Sequence, residues 1–159
     1  MDKLNTRSFV TWIGDRRQMQ HAAAAALKKS TKEGKTERTI VINNDIARQD
    51  IWNKVVQPIF IHECRNLSSK RELLKNITKR PTHVNKLTVI VDFIHEDYGE
   101  PQVEKYLQDF KELSALVQSY KAYNLRIWYF CPPISSIVEL ADIVVDATST
   151  SKIRIVTQP

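Results

Sequence analysis

Cysteine is scarce in this chain. Only Cys64 and Cys131 occur among 159 residues, far apart and in no C-x-x-C arrangement. That argues against a disulfide-stapled secreted scaffold and for free thiols in a reducing, cytoplasmic compartment, with one Cys64–Cys131 bridge as the alternative. Zinc is not expected either, because a structural site needs four converging ligands. His62 and Cys64 stand two apart on an expected helix and diverge, and His83 and His95 fall in expected loops. Long hydrophobic runs are also missing. No stretch approaches the ~20 apolar residues that cross a bilayer, and no basic-then-apolar segment opens the chain, so neither a membrane span nor a leader is expected. No G-x-S-x-G elbow and no Ser/His/Asp order points to a hydrolase.

What is present is an ordinary globular balance, 42% hydrophobic and 26% charged. There is no internal repeat, low-complexity tract or long linker, so residues 1–159 read as one α/β domain. The net charge of +6 conceals an asymmetry: residues 1–86 carry 18 Lys/Arg against 8 Asp/Glu, and residues 87–159 carry 6 against 10. The first half is therefore +10 and the second −4. A one-sided basic field is what a nucleic-acid backbone attracts. Solvated lysine-rich connectors or an acidic protein partner would account for the same charges. No amphipathic anchor supports a membrane.

Strands and helices alternate along the chain. Apolar runs predict strands over 8–13, 39–43, 87–93 and 125–131, with a final antiparallel hairpin from 142–146 and 152–157. Helical spacing predicts helices over 18–29, 46–64 (kinked or split at Pro58), 68–78 and 101–123, the last opened by Pro101. A short helical turn is expected over 134–140. The acidic stretch His95-Glu96-Asp97-Tyr98 with Glu100 reads as a solvated connector, with a cation or a basic partner as the alternative use of its charges. Trp12, Trp52 and Trp128 lie in or beside apolar runs and are expected in the core. The expected fold is three-layer: a mainly parallel sheet, helices on both faces and a C-terminal antiparallel hairpin at one edge.

Two places have the outline of nucleotide chemistry. The strand ending at Gly14 leads into Gly14-Asp15-Arg16-Arg17-Gln18-Met19-Gln20-His21 and an alanine-rich helix. Against G-x-x-x-x-G-K-[ST] the first glycine is present, but Met19, Gln20 and His21 replace glycine, lysine and the hydroxyl. The second place is Val89-Ile90-Val91-Asp92, an apolar strand closing in an acid, as where a carboxylate holds magnesium. Gly34-Lys35-Thr36 spells the end of the same motif but precedes a strand instead of following one, so it is a decoy.

In order, these pieces, together with the stretch from Lys111 to Val156, resemble a degenerate RecA-like P-loop ATPase domain of the DNA-translocase and viral genome-packaging branch. Where that family's sensor strand ends in a polar residue, this chain has Cys131-Pro132-Pro133. The resemblance implies a vestigial nucleotide site at Gly14, Gln20, His21 and Asp92, with no catalytic residue, no resident metal and no cofactor beyond weak nucleotide or magnesium binding. Arg16, Arg17, Lys28, Lys29, Lys32, Lys35 and Arg38 are the candidate contacts for nucleic-acid phosphates. The expected function is a non-catalytic accessory protein binding nucleic acid or a DNA-processing assembly. One alternative is an NTP-binding enzyme using Arg16 or Arg17 for phosphate and Asp92 for magnesium. Another is an oligomeric scaffold that binds other proteins.

Overall fold

The computed structural model describes residues 9–31, 37–44, 59–63, 71, 72, 75, 86–119, 125–148 and 154–157. In chain order the elements are β1 (Phe9–Gly14), α1 (Arg16–Thr31), β2 (Glu37–Asn43), β3 (Ile59–Glu63), β4 (Lys86–Asp92), β5 (Glu96–Asp97), β6 (Glu100–Pro101), α2 (Val103–Ser119), β7 (Leu125–Cys131), α3 (Ser135–Leu140), β8 (Ile143–Ala147) and β9 (Arg154–Thr157).

β7 sits at the middle of the sheet, and all seven of its residues are buried. Such a strand, apolar but for Arg126, which donates to Thr88 Oγ1 at 3.0 Å and lies over the Trp128 ring, is stable only between two layers of helix. It pairs in parallel with β4 on one side and β1 on the other. The full order is β3-β2-β4-β7-β1-β8-β9, parallel throughout except for the β8–β9 edge, where Val144 faces Val156 antiparallel. The expected mixed sheet and terminal hairpin are therefore present.

Alternation along the strands sends side chains to two cores. On one face Val10, Trp12, Ile90, Trp128, Phe130 and Val145 pack under α1 through Met19, Ala23, Ala24 and Leu27. The alanines let the helix lie close to an aromatic floor in which the Trp12 and Trp128 rings are 4.9 Å apart. On the other face Val89, Val91, Ile127 and Tyr129 meet Tyr106, Phe110, Leu113 and Val117 of α2 and Ile137 of α3. Each aliphatic side chain buried in this way stabilises the fold by roughly 1.5–3 kcal/mol.

Three sequence expectations need correction. The helix expected over 46–64 does not reach its end: Ile59–Glu63 is an edge strand in register with Thr39–Asn43. A run of Ile, Phe and Ile directly after Pro58 satisfies strand pairing better than helix continuation. The acidic connector is a hairpin, with Asp97 opposite Glu100. Its two-residue turn has positive φ at Tyr98 (52°) and Gly99 (82°), as a type I′ turn demands. Pro101 belongs to that hairpin, and α2 begins only at Val103, where Tyr106 N donates to Gln102 O. Arg71, Glu72 and Lys75 are helical, as expected for 68–78. Trp52, Cys64, His83 and residues 120–124 lie outside the described residues.

Candidate functional site

In open α/β sheets, ligands bind along the edge formed by the carboxyl ends of the parallel strands. Here the ends of β1, β4 and β7 border a cleft of about 270 Å3 whose walls include Gly14, Asp15, Arg16, Asp92, Phe130 and Cys131. The hairpin closes one side through Glu96 and Pro101, and Tyr106 of α2 reaches in from below.

The connection from β1 to α1 is a single residue, Asp15. Met19 N already donates to Asp15 O at 2.9 Å, so Arg16 to Gln20 form the first helical turn instead of a wrapping loop. The Asp15 carboxylate accepts from Gln18 N at 3.3 Å and so caps the helix with its own negative charge. A phosphate arriving at this N-terminus would meet that carboxylate. Gly14 has a packing reason to be glycine: at φ +132°, a Cβ there would lie 2.5 Å from the Ala147 carbonyl carbon.

Asp92 ends β4 almost completely buried, 1% exposed. Arg16 Nε donates to its Oδ1 at 2.8 Å, and Arg16 Nη2 donates to its backbone carbonyl at 3.3 Å. Gln20 Nε2 donates to Oδ2 at 2.7 Å. Arg16 and Gln20 stand four apart on α1 and so share a face, which is why one helix can hold both carboxylate oxygens. These residues do not favour a magnesium ion: each carboxylate oxygen already accepts from α1, and the Arg16 charge beside Asp92 opposes a second cation. Among the described residues, no group of three or more His, Cys, Asp or Glu side chains converges on a metal position.

Beside this lock lies a second polar cluster that sequence reasoning missed. His95 Nε2 is 2.8 Å from Asp109 Oδ2, His95 N donates to the Tyr106 hydroxyl at 2.9 Å, and Tyr129 OH donates to Tyr106 O at 2.9 Å. Asn44 adds a two-point clasp, its amide giving to Ile94 O at 2.8 Å and its carbonyl accepting from Ile94 N at 2.9 Å. These contacts fix the crest from which the hairpin springs. Burial pushes the Tyr106 phenol up from its ordinary pKa, with the His95 amide opposing and the Glu96 charge adding. Burial likewise pushes the Cys131 thiol up to about 12, so it is no nucleophile.

Gly14, Gln20 and Asp92 of the expected vestigial site meet at the cleft or directly behind it. His21 does not join them, being exposed one position round the helix from Gln20. Of the expected phosphate contacts, Arg16 is engaged by Asp92, with its side chain 13% exposed. Arg17 is exposed. Lys28 and Lys29 are on α1 and Arg38 is in β2, while Lys32 and Lys35 lie outside the described residues. The pairing of Asp92 with Arg16 and Gln20 left one sequence signal, a cation and an amide at helical spacing after the first strand, with an acid closing a later apolar strand.

No helix among the described residues is long and apolar enough to cross a membrane. No protein-family model and no curated protein matches the sequence. Among solved structures, a crystal structure of the RadB recombinase superposes with a TM-score of 0.53 at 9% identity, covering 87% of this chain and 73% of that one. The scaffold of this chain is RecA-like.

Proposed function

We propose that this chain is a catalytically silent RecA-like domain that serves as an accessory protein on nucleic acid. The observation that carries the silent half of this reading is the Asp92 lock. Where a P-loop enzyme presents a lysine to phosphate and an acid to magnesium, this chain turns Gln20 and Arg16 onto Asp92. The one-residue turn at Asp15 removes the loop that would wrap a phosphate. The nucleic-acid half is supported by the +10 balance of residues 1–86 and by the exposed position of Arg17. Arg16 drops out of the contact set because Asp92 holds it. Arg17, Lys28, Lys29, Lys32, Lys35 and Arg38 remain, and they would give salt-sensitive, largely sequence-independent affinity.

The test pairs two titrations of the wild-type chain. ATP with magnesium should leave the melting temperature unchanged. A fluorescent DNA oligonucleotide should bind in an anisotropy assay, and Arg17→Glu should weaken it several-fold. A melting shift with ATP and magnesium that Arg17→Glu leaves intact would return the protein to the nucleotide-binding enzymes. DNA binding that neither salt nor Arg17→Glu weakens would remove the nucleic-acid half.

A further inference from the structure

The two helical layers carry different charge. α1 has Arg16, Arg17, Lys28 and Lys29 and no Asp or Glu in its 16 residues. α2, packed on the other side of the sheet, mixes Glu104, Asp109 and Glu112 with Lys105 and Lys111. Towards the sheet, α1 turns Met19, Ala23, Ala24 and Leu27, and it holds Asp92 with Arg16 and Gln20.

What α1 leaves outside is a row. Arg17, His21 and Ala25 are exposed at intervals of four residues and so share one face, within about 80° of arc. Position 28 falls in the same arc by helical register. Among the described residues, neither the Arg17 nor the His21 side chain forms a hydrogen bond or an ion pair. Arg17 also stands in the first turn, where the helix dipole opposes a cation, so folding gives no reason for its charge. Asp15, the exposed acid at that end, accepts from Gln18 N.

The sign and the spacing of this row suit a phosphate backbone. Four residues of helix rise about 6 Å, close to the roughly 6.8 Å between alternate phosphates of one duplex strand. The whole of α1 is about 24 Å long, the reach of about seven phosphates. An acidic protein surface has no such fixed repeat of charge.

We infer that nucleic acid lies along the outer face of α1, with His21 as a phosphate contact between Arg17 and Lys28. This placement rests on the nucleic-acid role proposed above and narrows it to one layer: α1 holds the backbone, and α2 does not touch it. His21, which the crevice leaves out, has its use in this row.

Ala25 and Ala115 make a matched test, because both are exposed alanines inside a helix, one in each layer. Anisotropy titrations of the full chain use a single-stranded and a double-stranded oligonucleotide over a range of salt. Ala25→Lys should tighten binding and steepen its salt dependence by about one phosphate contact. Ala25→Glu and His21→Glu should each weaken binding about fivefold. Ala115→Lys and Ala115→Glu should change it less than about twofold, since their charges stand on the far side of the sheet. The tighter oligonucleotide identifies the form of strand that the row takes. Salt-sensitive binding in which the Ala25 and Ala115 variants behave alike, or which His21→Glu leaves intact, would overturn this placement and leave the nucleic-acid role standing. Displacement of the oligonucleotide by poly-glutamate at equal charge concentration would assign the row to an acidic protein and overturn it too. No binding of either oligonucleotide by the wild-type chain would overturn the placement and the role together.

Discussion

Asp92 shows how one buried carboxylate decides between chemistry and structure. At 1% exposure it needs compensation, and Arg16 and Gln20 supply it at 2.8 and 2.7 Å. Arg16→Met therefore takes the guanidinium away from a buried carboxylate and should cost about 3 kcal/mol in urea unfolding. The double variant with Asp92→Asn should cost clearly less than the sum of the two singles, because the pair is lost only once. Gly14→Ala meets the Ala147 carbonyl and an unfavourable φ at once, and should destabilise by about 2–3 kcal/mol without any phosphate present. The Cys131 thiol gives a pH signature. Its folded pKa of about 12 lies above its ordinary 9.0, so its contribution is complete below pH 9 and is lost as pH rises towards 12. Tyr106 and Tyr129, also raised by burial, act in the same direction above pH 10. Denaturant midpoints should fall steadily above pH 9 in the wild type, and Cys131→Ala should reduce that slope.

At the scale of elements, the hairpin of β5 and β6 is the part least like a plain connector. Gln102 N donates to His95 O at 2.8 Å, and Gln102 Nε2 donates to Glu96 O at 3.2 Å, so both ends are tied to the crest. Its turn places Tyr98, fully exposed, at φ 52°. Asn tolerates that conformation better than an aromatic residue and precedes glycine in the preferred type I′ sequence. Tyr98→Asn should raise stability by roughly 0.5 kcal/mol, read as a higher thermal midpoint. The contrast with α1 is instructive. Ala23 and Ala24 are wholly buried on Trp12 and Trp128, so that helix tolerates no enlargement, whereas the hairpin tip touches nothing that a substitution would disturb.

For the whole molecule, the governing feature is polarity of charge on a RecA-like frame. The basic half contains α1 and the edge carrying β2 and β3, and the acidic half contains the hairpin and α2. If about four phosphates are contacted, DNA affinity should fall roughly a hundredfold between 50 and 200 mM salt in anisotropy titrations. An affinity flat across that range would show that the basic half serves another purpose. The frame itself was largely legible in advance. Leu125–Cys131 shows as a buried strand from an apolar run broken only by Arg126, and the alternation of strand and helix requires a layered parallel sheet. The edge strand Ile59–Glu63 was hidden because its apolar residues also fit helical spacing, and only pairing with β2 resolves the ambiguity.

The sequence by itself determined the kind of architecture and the absence of an intact P-loop signature at Gly14–His21. Strand and helix follow from local periodicity, and a missing lysine or hydroxyl needs no coordinates to be noticed. Strand order, the one-residue turn at Asp15 and the capture of Asp92 by Arg16 and Gln20 were decided only by tertiary structure. Residues 16, 20 and 92 are separated by up to 76 positions, and no local rule says which face of a helix will lie over which strand end. The same holds for the cleft, which joins Asp15 of the basic half to Glu96 of the acidic one. A charge count along the chain separates those two residues, and folding sets them around one cleft.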